Sequence, residues 1–86
     1  MSRYAVEFTS AAAKEIRKLD GVTRSRVVRA VAALADEPRP PGVKKLSGSD
    51  DAWRIRFGDY RVIYEIDDGA VTVVVFRAAH RRAVYE

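Results

Sequence analysis

Cysteine is absent from this chain of 86 residues, and histidine occurs only once. The first absence excludes a disulfide scaffold and any thiolate metal site, and it suits a reducing, cytoplasmic compartment. A single imidazole supplies too few ligands for a structural zinc centre, and no metal or other cofactor is expected. No apolar run approaches the ~20 residues of a membrane span. The opening Met1-Ser2-Arg3-Tyr4-Ala5-Val6 passes straight into strand-like alternation and leaves no room for a signal peptide. Internal repeats, low-complexity tracts and linkers are missing too. The chain is long enough for one modest core and too short for a second, so a single domain over residues 1–86 is expected, with no membrane contact.

Charge is plentiful. The net charge is +4, which favours acidic partners such as nucleic acid or an acidic protein. Residues 1–49 hold ten Lys/Arg against five Asp/Glu, and residues 50–86 hold six against seven. Global charge therefore helps steering without marking a site.

The most informative segment lies in the nearly neutral half. In Trp53-Arg54-Ile55-Arg56-Phe57-Gly58-Asp59-Tyr60-Arg61-Val62-Ile63-Tyr64, apolar residues alternate strictly, as in two strands laying one face on a core. Gly58-Asp59 supplies a two-residue hairpin turn. That turn sets the register: Phe57 opposes Tyr60, Arg56 opposes Arg61, Ile55 opposes Val62, and Trp53 opposes Tyr64. Arg54, Arg56 and Arg61 then share the other face, two of them directly across from each other. Like charges so placed cost stability. A fold gains nothing from that arrangement; an anion-binding site does.

Around the hairpin, Tyr4, Val6 and Phe8 read as one face of a first strand. Thr9 or Ser10 then caps a helix over Ala11 to Leu19 with Ala12, Ile16 and Leu19 as its apolar stripe. Asp20-Gly21 ends it, and Thr23 offers the cap of a second helix from Arg24 to Asp36, striped by Val27, Val28, Val31, Leu34 and Ala35. Pro38, Pro40, Pro41 and Gly42 forbid further helix and open a loop that carries Lys44 and Lys45. The second strand begins near Ala52 and the third runs to about Ile66. Asp67-Asp68-Gly69-Ala70 turns the chain into a fourth strand from Val71 to Arg77. The expected fold is α+β with order βααβββ: a two-helix hairpin packed on a small four-stranded, mostly antiparallel sheet.

In this register Phe76 opposes Arg61, so His80 and Arg81 follow just beyond. The C-terminal segment can return over the arginine face with Arg82 and Tyr85. Arginines grip successive phosphates bidentately, and aromatic rings stack on unpaired bases; single-stranded RNA suits both. Trp53, Tyr60 and Tyr64 share the apolar face and read as core. Asp50, Asp51, Asp67 and Asp68 read as turn chemistry rather than a metal site. Arg24, Arg26 and Arg29 read as a solvated helix face able to meet nucleic acid or an acidic protein.

Taken together, Tyr4-Ala5-Val6-Glu7-Phe8, Ala13-Lys14-Glu15-Ile16-Arg17-Lys18-Leu19, Pro38-Arg39-Pro40, Lys44-Lys45-Leu46-Ser47-Gly48, the hairpin and His80-Arg81-Arg82-Ala83-Val84-Tyr85 resemble the RelE/ParE toxin superfamily over essentially the whole chain. In its RelE branch the resemblance implies the toxin of a type II toxin–antitoxin module. Such a toxin is an mRNA endonuclease that cuts in the ribosomal A site by metal-free attack of the 2′-hydroxyl on the neighbouring phosphate. Its implied partners are a RelB-like antitoxin, in a hetero-oligomer, and the ribosome with its mRNA. Carried over, Arg61 and Arg81 bind the scissile phosphate, and Arg54 and Arg56 hold the backbone; Lys44 and Lys45, read as exposed loop charges, and Arg82 are expected as further RNA contacts. The branch has lysines where this chain has Arg54 and Arg56, and arginine cannot serve as a base at ordinary pH. Proton transfer then falls to His80 or Tyr85. The rival reading is a ParE-like toxin that binds DNA gyrase without catalysis, which would not need these arginines. A third is an inactive relative kept as a binding module.

Overall fold

The computed structural model describes residues 3–46 and 51–80. Strand β1 (Ala5–Phe8) leads into helices α1 (Ser10–Arg17) and α2 (Gly21–Ala33), and strands β2 (Lys44–Lys45), β3 (Ala52–Phe57), β4 (Tyr60–Asp67) and β5 (Thr72–His80) follow. They form one five-stranded sheet in the order β1-β5-β4-β3-β2. β1 runs parallel to β5 and every other pair is antiparallel. The α+β class and the mostly antiparallel sheet are as expected. The strand count is not: the fifth strand is β2, formed by the two lysines assigned to a loop.

Both helices start on side-chain caps. Thr9 Oγ1 accepts from the Ala12 N–H at 3.1 Å, which satisfies one of the orphan donors of α1. Asp20 does the same for α2, accepting from the Thr23 N–H at 2.8 Å while its second oxygen accepts from Thr23 Oγ1 at 3.0 Å. The second helix thus begins three residues earlier than the sequence pattern predicts. Asp20 is the cap, Gly21 is the first helical residue, and Thr23 is a donor to the cap. The stop and the start have merged, so α2 follows α1 almost directly.

The helices bury one face each against the sheet. Ala12, Ile16, Val27, Val31 and Leu34 meet Ile55, Val62, Tyr64, Ile66, Val73, Val75 and Ala78 in a single core. Burial of this apolar surface is the main stabilising contribution, about 1.5–3 kcal/mol for each large side chain fully removed from water. Val28 and Phe8, expected on apolar faces, are exposed. Val28 falls beside the stripe of α2, and Phe8 ends the strand just before the chain turns into α1.

The hairpin register is the one its sequence dictates: Phe57 with Tyr60, Arg56 with Arg61, Ile55 with Val62, Trp53 with Tyr64. Gly58 takes φ +56°, the left-handed conformation that mirror-image hairpin turns demand at their first central residue. Between β4 and β5 the expected register fails. Tyr64 pairs with Val75 but Ile63 pairs with Arg77, so Phe76 is an extra, bulged residue. Arg61 therefore opposes Ala79 and not Phe76. The strand also begins one residue later than expected, because Val71 turns with φ +53°, and it continues through His80 instead of stopping at Arg77.

Beyond Val75, β5 no longer has β1 beside it, and α1 takes over that edge. Thr9 Oγ1 donates to the Phe76 carbonyl at 3.2 Å, and Glu15 accepts from the Ala78 N–H at 3.0 Å. Glu15 also receives a fork from Arg77, at 2.9 and 3.1 Å from Nε and 2.7 Å from Nη2. Burial alone would push the Glu15 carboxyl up. The bonds from Arg77 and from the Ala78 N–H outweigh it and hold the group below the usual carboxylate range. Side chains thus close what would otherwise be an open sheet edge.

Candidate nucleic-acid interface

The face of the sheet turned away from the helices carries the arginines. Two cross-strand rows stack there. Lys44 on β2 opposes Arg54 on β3, which opposes Ile63 on β4; Arg56 opposes Arg61, and that row continues to position 79 on β5. Lys44, Arg54, Arg56 and Arg61, with Gly42, line one open recess of about 200 Å³. Among the described residues, every side chain in that lining is cationic. Burial, then the Arg61 and Arg56 guanidiniums, pull Arg54 below the ordinary arginine value. Both causes disfavour the charged form, and a bound anion would oppose them. Fork-shaped donors converging on one concave spot are suited to phosphate oxygens.

Lys44 reaches the recess through the proline loop. Tyr64, fully buried, donates its hydroxyl to the Pro38 carbonyl at 2.7 Å. Burial pushes its phenol up to about 12, and Arg39 opposes that only weakly. Arg39 lies 5.2 Å from the centroid of the Trp53 ring and forks onto Asp68 at 2.9 and 3.3 Å. Gly42, at φ +90°, and a Val43 N–H to Pro40 carbonyl bond then reverse the chain into β2.

The predicted site residues separate on this frame. Arg54, Arg56 and Arg61 come together as expected, and Lys44 joins them. Lys45, one residue on, instead sits with Nζ 6.0 Å from the Trp53 ring centroid and is not in the recess lining. His80 is the last residue of β5, and its backbone pairs with Tyr60, one position past the row that contains Arg56 and Arg61. Arg81, Arg82 and Tyr85 lie outside the described residues, as does the expected return of the C-terminal segment over this face. Among the helix arginines, Arg24 serves the fold. Its Nη2 donates to the Leu19 carbonyl at 2.8 Å and to the Arg17 carbonyl at 3.3 Å, satisfying the end of α1. The distinct place of Lys44 is not apparent from sequence reasoning.

A family model described as the ParE toxin of the type II toxin–antitoxin system parDE matches residues 6–85. The chain belongs to that family, within the RelE/ParE superfamily. Toxin RelG of Mycobacterium tuberculosis is 37% identical over 86 residues, covering 95% of each chain. The mRNA interferase toxin RelE of Escherichia coli is 31% identical over 80 residues, covering 91% of this chain and 83% of its own. Among solved structures, the RelBE2 toxin–antitoxin complex of M. tuberculosis matches with a TM-score of 0.81 at 36% identity, covering 94% of both chains. An archaeal RelE–RelB complex from Pyrococcus horikoshii matches with a TM-score of 0.82 at 28% identity, covering 95% of this chain and 99% of its own. This member is accordingly a RelE-like toxin of a type II toxin–antitoxin module.

Proposed function

We propose that the chain is a ribosome-dependent mRNA endonuclease that inhibits translation from the cytoplasm and is neutralised by a RelB-like antitoxin in a hetero-oligomer. The observation that carries this reading is the recess of Lys44, Arg54, Arg56 and Arg61, whose converging donors suit the phosphate oxygens of RNA. The naming of a relative as an mRNA interferase supports the same activity, and the RelB-containing complexes support the antitoxin.

In this mechanism the RNA 2′-oxygen attacks the adjacent phosphorus and loses its proton to a base. The bond from phosphorus to the 5′-oxygen breaks, the leaving oxygen takes up a proton, and a 2′,3′-cyclic phosphate remains. Negative charge grows on the phosphoryl oxygens, and fixed guanidiniums aimed at it lower the barrier. Arg61 and Arg81 are assigned that role, with Arg54, Arg56 and Lys44 holding the flanking backbone. The guanidiniums supply the charge stabilisation without a metal. Tyr85 and His80 are the candidates for proton transfer. The registration of His80 beside Tyr60, off the arginine row by one position, favours Tyr85.

Cleavage of mRNA on programmed ribosomes tests the reading. Wild-type protein is expected to cut in the A site, and Arg61→Ala and Arg81→Ala to lose most of that rate. Equal cleavage by wild type and Arg81→Ala removes Arg81 from the mechanism. A second reading is favoured by the family model itself, which is described for a ParE toxin: gyrase inhibition by binding. Gyrase-dependent DNA breaks without any mRNA cleavage would establish it.

A further inference from the structure

We propose that Asp68 and Arg39, both outside the cationic recess, are positioning residues that select which of two adjacent lysines enters it. The inference rests on the reading of the recess as a phosphate site. β2 is only two residues long and is paired to β3 through Lys44 with Arg54 and Lys45 with Trp53. Neighbouring strand residues face opposite sides of a sheet, so a slip of one residue exchanges the two lysines. The Leu46 N–H donates to the Ala52 carbonyl at 3.0 Å and carries the pairing one step further, but so short a ladder gives the register limited support.

The discrimination comes from the other face. The Trp53 ring carries two cations, the Arg39 guanidinium at 5.2 Å and the Lys45 ammonium at 6.0 Å. Each is attracted to the ring, but they repel one another. Asp68 resolves the conflict. Its carboxylate takes the Arg39 fork at 2.9 and 3.3 Å and also accepts the Tyr4 hydroxyl at 2.6 Å. With Arg39 neutralised, Lys45 shares the ring, and Lys44 is left facing Arg54. Asp68 itself cannot touch a phosphate held at Arg61. It lies beyond the end of β4, and the six residues from Arg61 to Asp67 extend roughly 20 Å along a strand. Its influence on RNA must pass through Arg39, Trp53 and Lys45.

The experiment measures binding of a fluorescent single-stranded RNA, fully 2′-O-methylated so that it cannot be cut, as a function of salt concentration. Each phosphate contact contributes about 0.7 to the slope of log affinity against log salt for single strands. Lys44→Ala is expected to lower that slope by about 0.7. Asp68→Asn alone is expected to leave the slope unchanged, because the slip puts Lys45 where Lys44 stood, and Arg39→Gln, which removes the competitor for the ring, is expected to leave it unchanged as well. In the Lys44→Ala background, Asp68→Asn is expected to restore about 0.7 of slope by admitting Lys45, and Arg39→Gln to restore none. A general loosening of the fold would lower the slope and could not restore it. A Lys44→Ala slope that Asp68→Asn leaves unchanged or lowers further overturns the proposal. Arg56→Ala and Arg61→Ala provide the separate control: if neither weakens binding, the phosphate reading of the recess fails, whatever Asp68 does.

Discussion

Arg56 and Arg61 are direct cross-strand partners on the solvent-facing side of the β3–β4 hairpin, and both line the same recess as Arg54. Facing like charges destabilise a ladder by a few tenths to about 1 kcal/mol. Arg56→Gln is therefore expected to raise stability by that amount in urea unfolding at low salt, and to gain less at about 1 M salt, where the repulsion is screened. The same variant is expected to bind RNA less well. A destabilised Arg56→Gln would show that the pair is not repulsive in the folded protein.

Glu15 ties α1 to β5 through Arg77 and the Ala78 N–H. Glu15→Ala leaves both without their acceptor, at a cost of about 1–3 kcal/mol. Because the folded-state pKa is lowered from 4.5, the stabilising contribution is present above that value. It is lost as pH falls through the lower folded value. Wild-type stability should therefore decline on acidification below about 4.5 more steeply than that of Glu15→Gln, as measured by chemical unfolding across pH.

Tyr64→Phe removes the hydroxyl from the buried Pro38 carbonyl. A loss of about 0.5–1.5 kcal/mol is expected for that hydrogen bond, read as a lower Tm. The alkaline limb gives a second readout. The folded phenol is raised from 10.0 to about 12, so ionisation of the unfolded chain draws the equilibrium toward unfolding above about pH 10. Stability should fall between about 10 and 12 in the wild type, and that portion of the fall should be missing in Tyr64→Phe.

For proton transfer, His80→Gln is expected to keep most ribosomal cleavage and Tyr85→Phe to lose about 10²-fold or more. A rate that titrates near ~6.5 and vanishes in His80→Gln would assign the base to the imidazole instead.

How much of this was legible in the sequence varied with how tightly neighbouring residues constrain one another. The hairpin was fully legible, because strict alternation on both arms and Gly58-Asp59 between them permit one register. The helical stripe through Val27, Val31 and Leu34 was legible for the same kind of reason. The bulge at Phe76 was not. Val73-Val74-Val75-Phe76 is apolar at every position, so the pattern carries no phase, and an extra residue leaves no trace in it. Asp20-Gly21 reads as a helix stop by composition, yet Asp is equally a cap, and only the path of the backbone chooses. β2 was missed because two residues are too few to show a period. In the site, the arginine face followed from the hairpin, whereas the separation of Lys44 from Lys45 depends on Arg39 and Asp68, which neither lysine's local pattern reveals.

The parallel pairing of β1 with β5 has a consequence for synthesis. The first strand of the fold finds its neighbour only when residues 72–75 exist, because Ala5 to Phe8 pair with Thr72 to Val75 and with no earlier strand. β5 is also an interior strand, joining β1 to β4. Until it emerges, the hairpin that bears the arginines has no complete sheet to lie in, and α1 has no edge to close. Long-range closure of this kind is slow compared with local helix or hairpin formation. The residues that line the recess, 42 to 61, are therefore all made before the strand that closes the sheet around them, and the pairing of β1 with β5 is completed last.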